Sequence, residues 1–212
     1  MEIIKTTFKD LQALAKCQQE CFPASFAVKL GYACLHKSLQ WFLVSPNRFL
    51  VHIEYEGKIV GFCGGFMPQF VGDGSKSGIL HFAIKEAFYG LLKRPWLWFH
   101  SELWRFGTVF LKNRWKIFSN KKNENPTGLP ADIHEYLSSV ALTIICVHPA
   151  YRGGGLAKSL LLFAEDFAIK HDRKVLSLGV KQKNSSACKA YIKNGWAIDK
   201  KLGDSFVMKK YL

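Results

Sequence analysis

The segment from Val147 to Ser159 carries the clearest chemical pattern in this sequence, and it reads VHPAYRGGGLAKS. An apolar run ends at Val147, three consecutive glycines follow, and an apolar pattern with helical spacing begins. The first N–H groups of a helix have no partner within the helix and lie at the positive end of its dipole. Such a turn can bind phosphate groups, and Arg152 and Lys158 add positive charge beside it.

Three nucleotide-binding motifs compete for this turn. A Walker A loop requires glycine where the chain has Arg152 and Ala157, and a dinucleotide fingerprint that starts at Gly153 requires glycine in place of Lys158. The pattern that fits is Arg-x-x-Gly-x-Ala, formed by Arg152, Gly155 and Ala157. In these residues the sequence resembles the GNAT superfamily of acyl-CoA-dependent N-acyltransferases, whose coenzyme signature is Arg/Gln-x-x-Gly-x-Gly/Ala.

A second GNAT signature follows at the expected separation. It runs Asn184-x-x-Ala187-x-x-x-Tyr191-x-x-x-Gly195-Trp196, where most relatives have an aromatic residue after the glycine. Two ordered motifs are more specific than one glycine turn. The resemblance covers roughly residues 1–70 and 136–212, and the segment between them is an insertion relative to the minimal fold.

The resemblance implies that acetyl-CoA is the cosubstrate and that no metal takes part. It implies that the main chain from Gly153 to Lys158 binds the pyrophosphate, and that the main chain of Cys146 and Val147 pairs with the pantetheine arm. Asn184 would hydrogen-bond the pantetheine. The residues expected to form the coenzyme site are Cys146, Val147, Arg152, Gly153, Gly154, Gly155, Leu156, Ala157, Lys158, Ser159, Asn184 and Ala187.

Tyr191 is the expected catalytic residue, and the resemblance assigns it the protonation of the departing thiolate. The chemistry is reasonable in itself, because a phenol with a reference pKa of about 10 can give a proton to a thiolate of comparable basicity. The alternative is a tyrosine that only packs on a helix face. The acceptor amine must attack in its neutral form, so a base is also needed. Its candidates are Glu20, Glu54, Glu135, His134 and His148, or an ordered water.

The elements that position these residues follow from hydrophobic periodicity. The expected fold class is α/β, a GNAT-like mixed and mostly antiparallel twisted sheet flanked by helices, with an inserted helical segment. A strand, helix, strand order in the C-terminal part favours parallel neighbours. The predicted strands are Ile3–Thr7, Arg48–Tyr55, Lys58–Met67, Tyr136–Val147, Lys174–Val180, Ala197–Leu202 and Ser205–Tyr211. The predicted helices are Asp10–Cys21, one from about Phe26, Gly155–His171 and Ser185–Asn194.

Residues 72–131 form a helical, aromatic and basic insertion within a single domain that spans residues 1–212. Four of the six tryptophans lie there, and the stretch from Lys76 to Lys122 holds ten basic residues against two acidic ones. Gly90 and Pro95 should divide it into two or three helices, and Ser119–Ala131 should be a loop. Three readings stay open: packing or homodimer formation, a lid over an anionic acceptor, and peripheral membrane contact through residues 78–118.

A second resemblance bears on the acceptor. The block from Cys21 to Gly31, the hairpin that ends in Gly65, and the pairs Phe88-Tyr89 and Arg94-Pro95 look like a bacterial subgroup of GNAT proteins with a similar insertion. Such proteins often accompany surface-polysaccharide genes, which implies an amino-sugar acceptor.

Composition limits the remaining choices. A hydrophobic fraction of 49% indicates a globular chain, and the net charge of +14 favours anionic partners. We do not expect nucleic acid among them, because no recognised nucleic-acid motif is present. The six cysteines form no Cys-x-x-Cys pair, so we expect reduced, mostly buried thiols and no zinc at Cys17 and Cys21. The first ten residues contain no signal-peptide pattern, so we expect a cytoplasmic protein, with membrane-peripheral placement as the variant.

Three functions therefore compete. The first is N-acetyl transfer from acetyl-CoA to a primary amine of a small molecule such as an amino sugar. The second is acetylation of a protein lysine or N-terminus, which usually needs an open groove. The third is a non-catalytic module on the same fold that binds a membrane surface or nucleic acid.

Overall fold

The computed structural model describes residues 1–70, 73, 75–100, 102–103 and 135–212. The strands are β1 (Ile3–Lys5), β2 (Arg48–Tyr55), β3 (Lys58–Phe66), β4 (Ser139–Val147), β5 (Val175–Lys181), β6 (Ala197–Leu202) and β7 (Ser205–Tyr211). The α-helices are α1 (Leu11–Cys21), α2 (Phe26–Leu30), α3 (Tyr32–Gln40), α4 (Ser75–Phe82), α5 (Ile84–Lys93), α6 (Leu156–Lys170) and α7 (Ser185–Lys193). Among the described helices, none is long and apolar enough to cross a lipid bilayer.

The seven described strands form one sheet in the order β1-β2-β3-β4-β5-β7-β6. Every neighbouring pair is antiparallel except β4 and β5, which are parallel and are joined through α6. Both the mixed, mostly antiparallel sheet and the parallel β4–α6–β5 unit are confirmed. Because β4 and β5 are parallel, their carboxyl ends lie at the same edge of the sheet as the glycine turn.

Helices cover both faces of the sheet. On the face that we call the α6 face, the buried residues of α6 (Leu156, Leu160, Leu161, Ala164 and Ala168) recur at helical spacing and pack on the strands. On the opposite face, called the α1 face, Leu11, Leu14, Cys17 and Cys21 of α1 do the same. A capping box at Thr7 and Asp10 stabilises the turn that leads into α1.

Some predicted boundaries were wrong. The helix predicted from Phe26 is broken at Gly31, where φ is 106°, so that α2 and α3 are separate. The strand predicted from Tyr136 begins at Ser139, because Glu135–Leu137 form a helical turn. Gly90 does not divide the insertion but lies inside α5, where a Cβ atom would come within 2.3 Å of the Leu30 carbonyl oxygen. Glycine therefore serves close helix packing here rather than a break.

The described part of the insertion packs on α2 and α3. Ala83, Ala87 and Leu97 share a buried cluster with Phe26, Leu30 and Cys34, and Arg94 donates a hydrogen bond from Nη1 to the Leu30 carbonyl oxygen at 3.1 Å. The packing reading is thus supported for residues 83–97. The loop predicted at Ser119–Ala131, the whole of the 78–118 segment beyond residue 103, and the candidate base His134 lie outside the described residues.

Candidate functional site

Towards the glycine turn β4 and β5 are no longer paired, and we call this unpaired interval between the two strands the gap. The two strands pair from Ser139↔Val175 to Leu142↔Leu178, and no further pair is formed although β4 continues to Val147 and β5 to Lys181. The gap begins where β4 carries a bulge: Gly65 pairs with Leu142 and Gly64 with Ile144, so Thr143 is an extra residue. A bulge bends its strand and interrupts pairing. The edge of β4 from Thr143 to Val147 is therefore free to bind an extended ligand.

The bulge also changes which face each β4 side chain occupies. Before it, Val140 and Leu142 lie on the α6 face, as strand alternation requires. After it, Ile144 and Cys146 lie on the α1 face, whereas an unbroken alternation would have put them on the α6 face. The Cys146 side chain is consequently buried beneath α1. Only its main chain remains at the edge expected to pair with pantetheine.

The glycine turn at the end of β4 has the geometry that an anion site requires. Gly153 and Gly155 have φ of 88° and 82°, in the region that L side chains rarely adopt. Gly155 is the N-cap of α6, and the first hydrogen bond of the helix runs from the Ser159 N–H to the Gly155 carbonyl at 3.1 Å. The N–H groups of Leu156 to Lys158 thus start the helix as donors for a ligand.

The side chains of the glycine turn differ in their exposure to solvent. Leu156 is buried in the core of the α6 face and can contribute only its main chain, whereas Arg152 and Lys158 are exposed. Arg152 donates from Nε to the Val147 carbonyl oxygen at 3.1 Å, so its guanidinium is held across the end of β4. The sequence-predicted residues from Cys146 to Ser159 are therefore contiguous along the gap and the turn.

The second motif lies on α7, which packs on the α6 face. Asn184 is the N-cap of this helix, and its Oδ1 accepts a hydrogen bond from the Ala187 N–H at 3.3 Å. That cap leaves the Nδ2 amide as the group able to donate to a ligand. Ala187 and Tyr191 are partly buried against the core, and the Tyr191 ring lies 5.9 Å from that of Trp196.

Burial raises the pKa of Tyr191 to about 12, and the neighbouring Cys188 and Cys63 thiols add to the shift. The phenol therefore keeps its proton throughout the neutral and mildly alkaline range. A side chain in this state can donate a proton and cannot act as a base.

Among the candidate bases, the fold brings Glu20 and His148 together. The Nε2 atom of His148 lies 3.2 Å from the Oε2 atom of Glu20, across from the end of β4. The Ala150 N–H donates to His148 Nδ1 at 3.3 Å, which assigns the ring proton to Nε2, the nitrogen that faces Glu20. Imidazole then donates to the carboxylate, and Glu20 is the member of the pair able to accept another proton.

The other described candidates lie elsewhere. Glu135 accepts hydrogen bonds from Lys209 and Tyr211, which lower its pKa, and it lies near the start of β5, at the sheet edge opposite the glycine turn. Glu54 lies on β2, two strands from β4, where it contacts His52.

Sequence reasoning missed a thiol cluster behind the edge of β4. The Sγ atoms of Cys17, Cys21 and Cys146 lie within 4.8 Å of one another. Hydrogen bonds with the Cys146 and Cys17 sulfurs, together with the charges of His148 and Arg152, lower the pKa of Cys21, whereas burial raises that of Cys146. The spacing of Cys17 and Cys21 was visible in the sequence, but nothing there indicated that Cys146 would join them.

The insertion reaches the same edge of the sheet. Glu102 Oε1 lies 2.6 Å from the Nζ atom of Lys181, the last residue of β5. The Nε2 atom of His100 lies 3.4 Å from the Nζ atom of Lys29, a residue of α2. His100 therefore contacts α2, which follows α1, and Glu102 contacts the end of β5 on the far side of the gap.

Comparisons with known proteins point to one family. Residues 97–196 match the model of the acetyltransferase (GNAT) family. No curated protein matches the sequence.

Solved structures give the same fold over nearly the whole chain. The PaiA N-acetyltransferase of Thermoplasma acidophilum, in complex with coenzyme A, has a TM-score of 0.60 at 15% identity, covering 100% of this chain and 98% of that one. The ribosomal-protein-S18-alanine N-acetyltransferase of Escherichia coli has 0.57 at 14%, covering 99% and 92%. The ribosomal-protein-alanine N-acetyltransferase of Brucella melitensis has 0.57 at 16%, covering 100% of both chains. Identities this low show a shared fold.

Proposed function

We propose that this chain, whose residues 97–196 match the model of the acetyltransferase (GNAT) family, transfers an acetyl group from acetyl-CoA to a primary amine of a small molecule such as an amino sugar. The observation that carries the proposal is the gap between β4 and β5, which opens at the Thr143 bulge and ends at the glycine turn. It joins an unpaired strand edge to a helix N-terminus, as a long ligand with a pyrophosphate at one end requires.

The described residues fit the coenzyme. The turn from Gly153 to Lys158 would hold the pyrophosphate with main-chain N–H groups, and Arg152 and Lys158 would add charge. The β4 edge at Cys146 and Val147 would pair with the pantetheine, with the Asn184 amide as a further donor. The cosubstrate supplies an activated acetyl thioester. The protein's task is then to deprotonate an amine on one side and to protonate a thiolate on the other.

Two side chains suit those tasks, and they belong to opposite faces of the sheet. Glu20 belongs to α1 and is oriented by His148, so it would accept the proton that the amine loses as its C–N bond forms. Tyr191 belongs to α7 on the α6 face and retains its proton, so it would give that proton to sulfur as the C–S bond breaks. An acid and a base on opposite sides of the gap can act without neutralising each other.

The insertion favours a small acceptor over a protein. His100 contacts Lys29 of α2, and Glu102 contacts Lys181 at the end of β5, which narrows the approach to the gap from the α1 face. A lysine side chain or protein N-terminus would need that approach open. The solved ribosomal-protein acetyltransferases share the fold with this chain at 14% and 16% identity, and a protein acceptor is the alternative that the test must include. Membrane contact through residues 78–118 stays a prediction.

The test is release of free thiol from acetyl-CoA by the purified protein, with acceptors offered one class at a time. The panel contains free amino sugars, nucleotide-linked amino sugars, polyamines, amino acids, lysine peptides and peptides with a free N-terminus. We expect release that depends on an amino sugar and that yields one acetylated amine per thiol by mass spectrometry. Release with peptides alone would replace the small-molecule proposal, and a protein that binds no acetyl-CoA would contradict the catalytic function.

A further inference from the structure

Three thiols meet beneath the end of β4 without forming a disulfide. The Sγ atoms of Cys17 and Cys21 are 3.9 Å apart, and Cys146 Sγ lies within 4.8 Å of both. The three side chains are only 3%, 7% and 4% exposed, respectively. All six cysteines of the chain are free thiols in this structure.

The other buried cysteines of the chain are in a different situation. Cys63 donates its hydrogen bond to the Leu160 carbonyl oxygen at 3.6 Å, and Cys34 lies in the apolar cluster between α3 and α5. Each of these thiols packs within an apolar cluster, as expected for cysteine used as a small apolar residue. In the described part of the chain, only Cys17, Cys21 and Cys146 form a group of three or more potential metal ligands whose ligand atoms lie within 4.8 Å of one another.

The spacing of these sulfurs matches that of a metal thiolate site. With metal–sulfur bonds of about 2.3 Å, three thiolates around one ion lie about 3.8 to 4.0 Å apart, for tetrahedral or trigonal geometry. The Cys17–Cys21 separation is already 3.9 Å, and the remaining distances need to shorten by less than about 1 Å to reach that range. A side-chain rotation within the existing rotamer wells can supply such a change.

Two features of the fold build this arrangement. Cys17 and Cys21 are four residues apart on α1, so their side chains lie one above the other on its buried face. Cys146 reaches them only because the extra residue Thr143 shifts the alternation of β4 and turns this side chain to the α1 face. The helix and the strand are held in register by the surrounding core, which includes Leu14, Leu35 and Phe62.

We infer that Cys17, Cys21 and Cys146 form a binding site for one soft, thiophilic metal ion of the class that includes Zn²⁺ and Cu⁺. Soft thiolate ligands select these ions over Mg²⁺ or Ca²⁺. The inference replaces the expectation, drawn from the sequence, that Cys17 and Cys21 would bind no zinc. The inference does not depend on the acetyltransferase activity. The metal would bind the Cys146 side chain on the α1 face, whereas the coenzyme would pair with the main chain at the edge of β4.

The first experiment measures binding to the full chain. Protein stripped of metal by a chelator under anaerobic, reducing conditions is titrated with Zn²⁺ against a chromophoric zinc chelator, and separately with Cu⁺ against a chromophoric copper chelator. We expect one equivalent to bind in at least one of the two titrations. Binding in only one identifies the ion, and binding in neither overturns the inference.

Substitutions then locate the site. Cys17→Ser, Cys21→Ser and Cys146→Ser should each weaken binding by about 100-fold or more, since removing even an outer partner of a ligand costs 10- to 100-fold. The matched controls are Cys34→Ala, which removes another buried thiol, and Cys188→Ser, which removes a half-buried one. These two should leave affinity unchanged. Equal affinity across all five variants would overturn the assignment.

A measurement on the wild-type protein keeps the test independent of how well the variants fold. X-ray absorption at the edge of the bound metal should show about three sulfur neighbours near 2.3 Å. A first shell made only of nitrogen and oxygen would mean that the ion binds elsewhere, and would refute the site. Acetyl transfer measured beside it separates this inference from the proposed function, because either can fail while the other holds.

Discussion

The imidazole of His148 and the carboxylate of Glu20 face each other across 3.2 Å, although they are 128 positions apart in the sequence. His148 directly follows β4, and Glu20 is the next-to-last residue of α1. Since the Ala150 N–H occupies Nδ1, the imidazole presents Nε2–H to Glu20 and holds the carboxylate beside the residue that follows β4. A positioned carboxylate at this place can take a proton from an incoming ammonium or amine.

Glu20→Gln should therefore lower kcat by about 100-fold or more while the affinity for acetyl-CoA stays unchanged, since a general base contributes typically 10²- to 10⁴-fold. The amide keeps the size of the side chain and a hydrogen bond to His148 but cannot accept the proton. The comparison variant is Glu54→Gln, which neutralises a carboxylate two strands away. Equal rates for both variants and the wild type would exclude Glu20 as the base and leave an ordered water in its place.

Tyr191→Phe should lower kcat, by about 100-fold for a general acid, with little change in acetyl-CoA affinity. With its pKa near 12, the phenol is protonated at every pH up to about 10. The ratio of wild-type to variant rates should accordingly stay constant between pH 7 and pH 10. A ratio that falls across this range would show that Tyr191 loses its proton earlier than its burial implies.

The control for Tyr191 is Tyr211→Phe. The Tyr211 hydroxyl donates to Glu135 at 2.9 Å at the opposite edge of the sheet, so this variant removes a phenol oxygen without touching the gap. If both variants lost activity to the same degree, the loss would reflect general destabilisation and not acid catalysis.

The coenzyme elements could be predicted from the sequence because each is local. The glycine turn from Arg152 to Ala157, and the motif from Asn184 to Tyr191, each depend on residues within one loop or helix. The strand and helix order also follows from short-range periodicity, which explains why the β4–α6–β5 unit was predicted. The predicted helix boundaries were wrong where a tertiary contact determines the structure. Gly90 lies inside α5 and not at a helix end, because the Leu30 carbonyl oxygen lies close to it.

The bulge at Thr143 could not be predicted from β4 alone. The run from Leu142 to Val147 is almost uniformly apolar, so no alternation marks the residue at which the strand changes face. The signal lay in its partner: Gly64 and Gly65 stand side by side in β3, and a Cβ on Gly65 would come within 2.9 Å of the Ala141 carbonyl oxygen. Glycine within a strand often marks a bulge.

The bulge at Thr143 also decides on which face of the sheet the Cys146 side chain lies. With regular alternation, Cys146 would share a face with Leu142 and lie away from Cys17 and Cys21. The thiol cluster and the gap therefore have one cause. Neither can be read from residue types, because both depend on the register between β3 and β4.

Gly155→Val should weaken acetyl-CoA binding by at least about tenfold. A residue with a Cβ pays about 1–2 kcal/mol to adopt the positive φ of 82° found here, so the turn should rearrange and displace the N–H donors at the start of α6. Binding can be measured by calorimetry with acetyl-CoA. The matched control is Gly57→Val in the β2–β3 turn, where φ is 70° and no atom lies within 4 Å of a Cβ. Comparable strain there should leave the affinity unchanged, and wild-type affinity in Gly155→Val would refute the placement of the pyrophosphate.

Gly90→Ala should destabilise the protein without altering the coenzyme site. A Cβ at this position would lie 2.3 Å from the Leu30 carbonyl oxygen, so α5 must move away from α2, and overpacking of this kind costs about 1–3 kcal/mol. The midpoint of thermal unfolding should fall by roughly 2–4 °C for each kcal/mol in a chain of this size.

The control for Gly90 is Gly179→Ala in β5, where a Cβ would meet no atom within 4 Å. Its free energy of unfolding should stay within about 0.5 kcal/mol of the wild type. Because Gly90 lies where the insertion packs on α2, the destabilised variant should also lose affinity for the acceptor more than for acetyl-CoA. If Gly90→Ala and Gly179→Ala unfolded at the same temperature, α5 would not pack on α2 as closely as the Leu30 contact requires.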